Sequence, residues 1–231
     1  MAEEAGRADI KVDFMTPPSG YEQPSVRISI PGSDPAAPIV VIGAHLDSIN
    51  WSGGSDAPGA DDDGSGIATV TEIYRVLLKN NIHPKASIHL FGYAAEELGL
   101  LGSRVVAEQY QLHKVNVRAV MQLDMTAYPG ETNAVTFMTD YVSKELTQWS
   151  EQIFGKYVGG DVKHDRCGYA CSDHASWQRY GYPTVMPFEA PMDDMNHRLH
   201  TPKDLWDSYL NAEFAAKFAK LGVAFVLELA L

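Results

Sequence analysis

Residues 39–48 read IVVIGAHLDS, an unbroken apolar run from Ile39 to Gly43 followed closely by His45, Asp47 and Ser48. A short continuous run of β-branched residues is what a strand buried on both faces requires. Strands of that kind occur in parallel sheets covered by helices on each side. In such sheets ligands gather just beyond the carboxyl ends of the strands, which is where His45 falls. A Gly-, Ser- and Pro-rich loop over residues 50–66 follows, and it contains three consecutive aspartates, Asp61 to Asp63.

Outward from this strand, elements of alternating type are expected. An earlier strand at residues 26–30 runs into Pro31-Gly32 and reads as an edge strand. A helix from residue 65 or 66 to 79 places Ile67, Val70, Tyr74 and Leu77 at helical spacing. Further strands are expected at 87–93, 118–124, 134–138 and 184–188. Helices are expected at 101–110, 144–157 and 172–180, the last capped by Ser172. A closing amphipathic helix at 211–229 turns Phe214, Phe218, Leu221 and Phe225 inward. The pattern predicts one α/β domain over residues 1–231, with a mostly parallel mixed sheet sandwiched between helices. The 231-residue length suits one domain, and no repeat or low-complexity block interrupts it.

Composition narrows the partners. Eighteen Lys and Arg against 30 Asp and Glu give a formal charge of -12, which argues against nucleic acid. No apolar run is long enough for a membrane span, so no membrane partner is expected. Cys167 and Cys171 are the two cysteines, four apart in CGYAC. They read as a small disulfide loop in an oxidising compartment, in preference to free thiols or a zinc pair, whose usual spacing is tighter. That reading expects a secreted or periplasmic protein whose targeting segment is not in this chain.

Five segments carry candidate metal ligands: HLDS (45–48), GADDDGSG (59–66), AAEELGLLGS (94–103), LDM (123–125) and RLHT (198–201). Imidazole and carboxylate suit zinc. Adjacent aspartates repel one another near a buried sheet edge unless a cation lies among them, although a solvated acidic loop also accounts for DDD alone. Asp47, two residues after His45, reads as the group that fixes the His45 tautomer.

Taken together and in this order, the segments resemble the dizinc aminopeptidase family that includes bacterial secreted leucyl aminopeptidases. The resemblance runs from about Val26 to the last helix and implies the zinc-exopeptidase, phosphorylase/hydrolase-like fold. It implies two zinc ions per chain, with Asp62 bridging them, His45 and Asp124 completing one site, and Glu97 and His200 the other. It further implies Glu96 as general base, a hydroxide bridging the two metals, and a cis Asp62–Asp63 peptide. His200 is preferred to His197 because Thr201 completes the family's HT pattern. Tyr169 matches a substrate-contacting tyrosine whose hydroxyl could help hold the oxyanion.

Such an enzyme removes N-terminal residues from peptides that have a free amino terminus. The pocket for the N-terminal side chain is expected from Met125, Met138, Phe188, Met192 and Leu199, an apolar set favouring Leu, Met or Phe. A monomer is expected. Helices that usually precede the first strand in the family are missing from the pattern here. A glutaminyl cyclase-like acyltransferase on the same fold is the nearest rival, but LDM and SDHASW (172–177) look like the aminopeptidases. A non-catalytic binding relative should have lost ligands that this chain keeps.

Overall fold

The computed structural model describes residues 1–16 and 21–231. Its main sheet has six strands: β1 (Lys11–Met15), β2 (Ser25–Ile30), β3 (Ile39–His45), β4 (Ile88–Tyr93), β5 (Val117–Gln122) and β8 (Thr184–Val185). Their spatial order is β1-β2-β4-β3-β5-β8. Strands β4, β3, β5 and β8 run parallel, while β1 and β2 are antiparallel additions at one side. The expected fold class is observed, and so is the central position of the 39–48 stretch.

Alternate residues of β3 face opposite layers. Val40, Ile42 and Ala44 join a core built with helices α1 (Gly64–Lys79) and α5 (Ala212–Ala230), including Ile73, Leu77, Phe218, Leu221 and Phe225. Val41 faces the other layer, with Phe91, Tyr93, Val106, Tyr110 and Trp177. Helices α2 (Leu101–Leu112) and α4 (His174–Arg179) cover that side. Burial on both faces is why the strand sequence is apolar without alternation.

Four expectations need correction. The 26–30 strand is not an edge, because β1 pairs along it from Lys11↔Ser29 to Met15↔Ser25. The 184–188 stretch is two strands: β8 ends at Val185, and β9 (Pro187–Phe188) enters a second sheet. That sheet has the order β7-β6-β9, with β6 (Val135–Met138) and β7 (Val162–Asp165), so β6 does not extend the main sheet. Ser172 does not cap α4; Asp173 occupies the N-cap position, and the Ser172 hydroxyl is engaged elsewhere. The remaining helix, α3 (Lys144–Tyr157), has the expected bounds and packs on α5.

Candidate metal centre and active site

Three parallel strands deliver their carboxyl ends to one place. His45 is the last residue of β3, Glu96 and Glu97 follow β4, and Asp124 follows β5. The DDD segment leads into α1 beside them. There Asp63 caps the helix by accepting from the Gly66 amide at 3.0 Å. The same carboxylate accepts the His45 amide (2.9 Å) and the Met125 amide (3.1 Å), tying the three segments together. Gly66 is needed for this approach, since a Cβ there would lie 2.4 Å from the Leu123 carbonyl oxygen and 2.2 Å from Asp63 Oδ1. The Asp62–Asp63 peptide is cis. Ala95, Leu100, Met125 and His200 all have positive φ between 56° and 60°. Four non-glycine residues in a sparsely populated region flank the ligand set, which is where such backbone is usually found.

The side chains converge as two triads that share Asp62. His45 Nε2 lies 3.0 Å from Asp62 Oδ1 and 3.6 Å from Asp124 Oδ1. His200 Nε2 lies 3.0 Å from Asp62 Oδ2 and 3.0 Å from Glu97 Oε2. Ligand atoms about 2 Å from a tetrahedral ion sit roughly 3.3 Å from one another, so both triads have the spacing of one coordination sphere. His197, the other candidate in that loop, is exposed and contacts the Asp193 carbonyl instead.

Hydrogen bonding shows that these triads suit cations. His45 Nδ1 is 3.0 Å from the Asp47 carbonyl oxygen, which only accepts, so Nδ1 carries a ring proton. Nε2 then faces two carboxylates, an arrangement that calls for positive charge there, whether a second ring proton or a cation held between the groups. Glu97 Oε1 is buried without a hydrogen-bond partner, as a ligand oxygen lacking its ion would be. Asp47 thus engages His45 through its backbone oxygen. Its carboxylate lies 3.7 Å from Nδ1 and accepts the Glu96 and Glu97 amides at 3.0 and 3.1 Å.

Glu96 adjoins the ligands and lines the same cavity of about 200 Å³. Burial pushes its carboxyl up to about 10. The charges of Asp173, Asp124 and Glu97 add to this rise, and His45 opposes it. For Asp62, burial is outweighed by the bonds to His200 and His45, which hold it below the usual carboxylate range.

The rest of the cavity is an apolar cup. Met125, Phe188, Met192 and Leu199 line it, joined by Met186 and Met195. Met138 does not reach the wall; it is fully buried behind the lining in the same cluster. Tyr169 stands at the mouth, more than half exposed, on the loop closed by the Cys167–Cys171 disulfide. The Asp140 carboxylate holds this loop by accepting the Cys167 and Gly168 amides.

Several contributors escaped the sequence reading. The Ser172 hydroxyl donates to Asp124 Oδ2 at 2.5 Å, leaving Oδ1 toward His45. The Asp204 carboxylate accepts the amides of Asp61 (3.1 Å) and Asp62 (3.0 Å). Asn196 Nδ2 donates to Asp61 Oδ2, and Glu189 accepts the amides of Asn196 and Tyr128. An indole, Trp51, packs on the His200 ring. Only the local pattern of Asp204, four residues after His200, offered any signal; the other partners are brought in by the fold.

Comparison with known proteins agrees with this geometry. The family model for peptidase family M28 matches residues 25–226. Leucine aminopeptidase 1 of Aspergillus niger is 39% identical over 240 residues, covering 99% of this chain and 61% of the relative. Among solved structures, LapB from Legionella pneumophila superposes with a TM-score of 0.93 at 39% identity, covering all of this chain and 62% of that one. The LapA aminopeptidase of Legionella pneumophila gives 0.91 at 40% identity, covering 99% of this chain and 60% of that one. This chain therefore spans about 60% of the length of the relatives it matches. With the match running from β2 into α5, the chain belongs to peptidase family M28.

Proposed function

We propose that this chain is the catalytic unit of a dizinc aminopeptidase that removes large apolar residues, Leu, Met or Phe, from the amino terminus of peptides. The observation that carries this reading is the pair of triads sharing Asp62, set beside Glu96 and an apolar cup. His45, Asp62 and Asp124 would hold one ion, and Asp62, Glu97 and His200 the other. The all His/carboxylate donor set supports zinc. Bound there, the ions supply Lewis acidity that polarises the scissile carbonyl and acidifies water.

The chain's own groups do the remainder. With cations held among the neighbouring carboxylates, the Glu96 carboxyl would fall from its raised value toward the neutral pH range. Its carboxylate then takes a proton from the attacking water and delivers it to the leaving amine. Asp47 keeps Glu96 and Glu97 in place through their amides. Tyr169 lines the cavity, and its hydroxyl would be available to the developing oxyanion. The cup of Met125, Phe188, Met192 and Leu199, backed by Met186 and the fully buried Met138, accepts the N-terminal side chain, and the acidic groups beside it suit the positively charged α-amine of a first residue. Flexible methionines suit several apolar shapes, so discrimination among Leu, Met and Phe should stay within about 1–3 kcal/mol. The disulfide supports action outside the cytoplasm. No helix among the described residues is long and apolar enough to cross a membrane.

Zinc content and leucine-anilide hydrolysis, measured together for the wild type and for Glu96→Ala, test the proposal. About two zinc ions per chain, with the variant keeping metal and losing activity by roughly 10²-fold or more, is the expected result. Absence of both metal binding and hydrolysis after zinc reconstitution would overturn it.

A further inference from the structure

Trp51 is the most exposed large apolar side chain among the described residues, at 71%. It is not a loose one. Its amide donates to the His200 carbonyl at 3.0 Å, and its ring lies 3.9 Å from the His200 ring at 44°. The loop around it is braced internally. Asn50 Nδ2 donates to the Asp56 carbonyl (2.9 Å) and the Gly53 carbonyl (3.3 Å), the Ser52 amide donates to Asn50 Oδ1 (2.8 Å), and Ser48 Oγ donates to the Ala57 carbonyl (2.7 Å). A large aromatic ring is thus held firmly against a ligand histidine with most of its surface left open. A fixed ring with this much open apolar surface can be covered by a ligand with little loss of side-chain freedom.

Trp51 lines the same cavity as Glu96, Glu97 and Tyr169. The methionine-rich cup takes up one end of that cavity, and the proposed substrate's first side chain fills it. Peptide beyond the scissile bond needs lining outside the methionine cup, and Trp51, Gly99 and Leu100 are among the residues that line this cavity. A Cβ built on Gly99 meets nothing within 4 Å, so space is open there.

We propose that Trp51 is the platform for the second residue of the peptide, and that it gives the site a preference for an aromatic or large apolar residue there. This rests on the aminopeptidase reading and specifies its substrates: peptides with apolar residues at both of their first two positions. Stacking of one ring on another supports a preference of about tenfold over glycine.

The test compares kcat/KM for Leu-Phe-amide and Leu-Gly-amide, using zinc-loaded wild type, Trp51→Ala and Trp51→Phe, with zinc content measured for each. The wild type is expected to favour Leu-Phe-amide about tenfold. In Trp51→Ala most of the loss should fall on Leu-Phe-amide, bringing the ratio close to one, while Trp51→Phe restores much of it. An unchanged ratio in Trp51→Ala, or an equal loss on both substrates together with lost zinc, overturns the proposal and leaves Trp51 as a cover for His200. Failure of zinc-loaded wild type to cleave either peptide overturns the aminopeptidase reading itself.

Discussion

At the scale of single residues, the site depends on groups that hold ligands rather than on the ligands alone. Asp204 is the clearest case. It is buried, it follows His200 by four residues, and its carboxylate accepts the amides of Asp61 and Asp62, so it joins the shared aspartate to the loop that carries the second histidine. Asp204→Ala leaves two buried amides unpartnered, each costing on the order of 1–3 kcal/mol. It should also weaken zinc binding by about 10–100-fold. Asp204→Asn keeps an acceptor oxygen and should recover part of both. Calorimetric zinc titration and the melting temperature of metal-free protein provide the readouts. Wild-type zinc affinity in the alanine variant would show that the loop holds itself without this clamp.

At the scale of elements, what could be read from the sequence divides by the range of the interaction. The buried parallel strands were legible because burial on both faces writes itself into a few consecutive residues, as in Ile39 to Gly43. Helices α1, α3 and α5 were legible from their spacing. Strand β1 was not, since Lys11–Met15 is a short edge whose apolar residues, Val12 and Phe14, stay exposed, so its alternation marks no core face. The split of β8 from β9 was also hidden, because Met186 lies between two apolar pairs that go to different sheets. In the site, the candidate ligands stood out by position at strand ends, whereas Asn196 and Asp204 meet Asp61 across 135 and 143 residues of chain.

Glycine choices inside strands belong to the same hidden class. A Cβ on Gly43 of β3 would lie 2.3 Å from the Tyr93 ring. That ring is fully buried, and its hydroxyl accepts from Trp177 Nε1 at 2.8 Å, so it has little freedom to retreat. Gly43→Ala should destabilise the protein by about 1–3 kcal/mol through overpacking. This corresponds to a fall in melting temperature of roughly 2–12 °C for a chain of this size. A melting curve matching the wild type would mean that the β3–β4 pair is more pliable than its packing indicates.

For the whole molecule, two histidines buried away from the metal centre set a limit on acid stability. Burial lowers His174 from 6.5 to about 4 against the opposing charge and backbone of Asp140, and neither ring nitrogen makes a well-formed hydrogen bond. Burial, reinforced by the Arg27 charge, likewise lowers His89 to about 4, beside Tyr110. The unfolded chain therefore binds these protons at a pH where the folded protein does not. The resulting stability is fully present above about pH 6.5, is lost progressively as pH falls toward about 4, and changes no further below that. For His174 the loss is about 3 kcal/mol. Replacing it by leucine removes at most a weak contact with the Asp140 backbone, so His174→Leu should fold at neutral pH with similar stability. Its decline between pH 6.5 and 4 should be shallower than that of the wild type, by roughly 6–12 °C of melting temperature at the acid end. Carboxylates and the ligand histidines titrate alike in both proteins, so the difference between the two curves isolates this residue. Parallel curves would locate the acid sensitivity elsewhere, with His89→Phe as the next variant to compare.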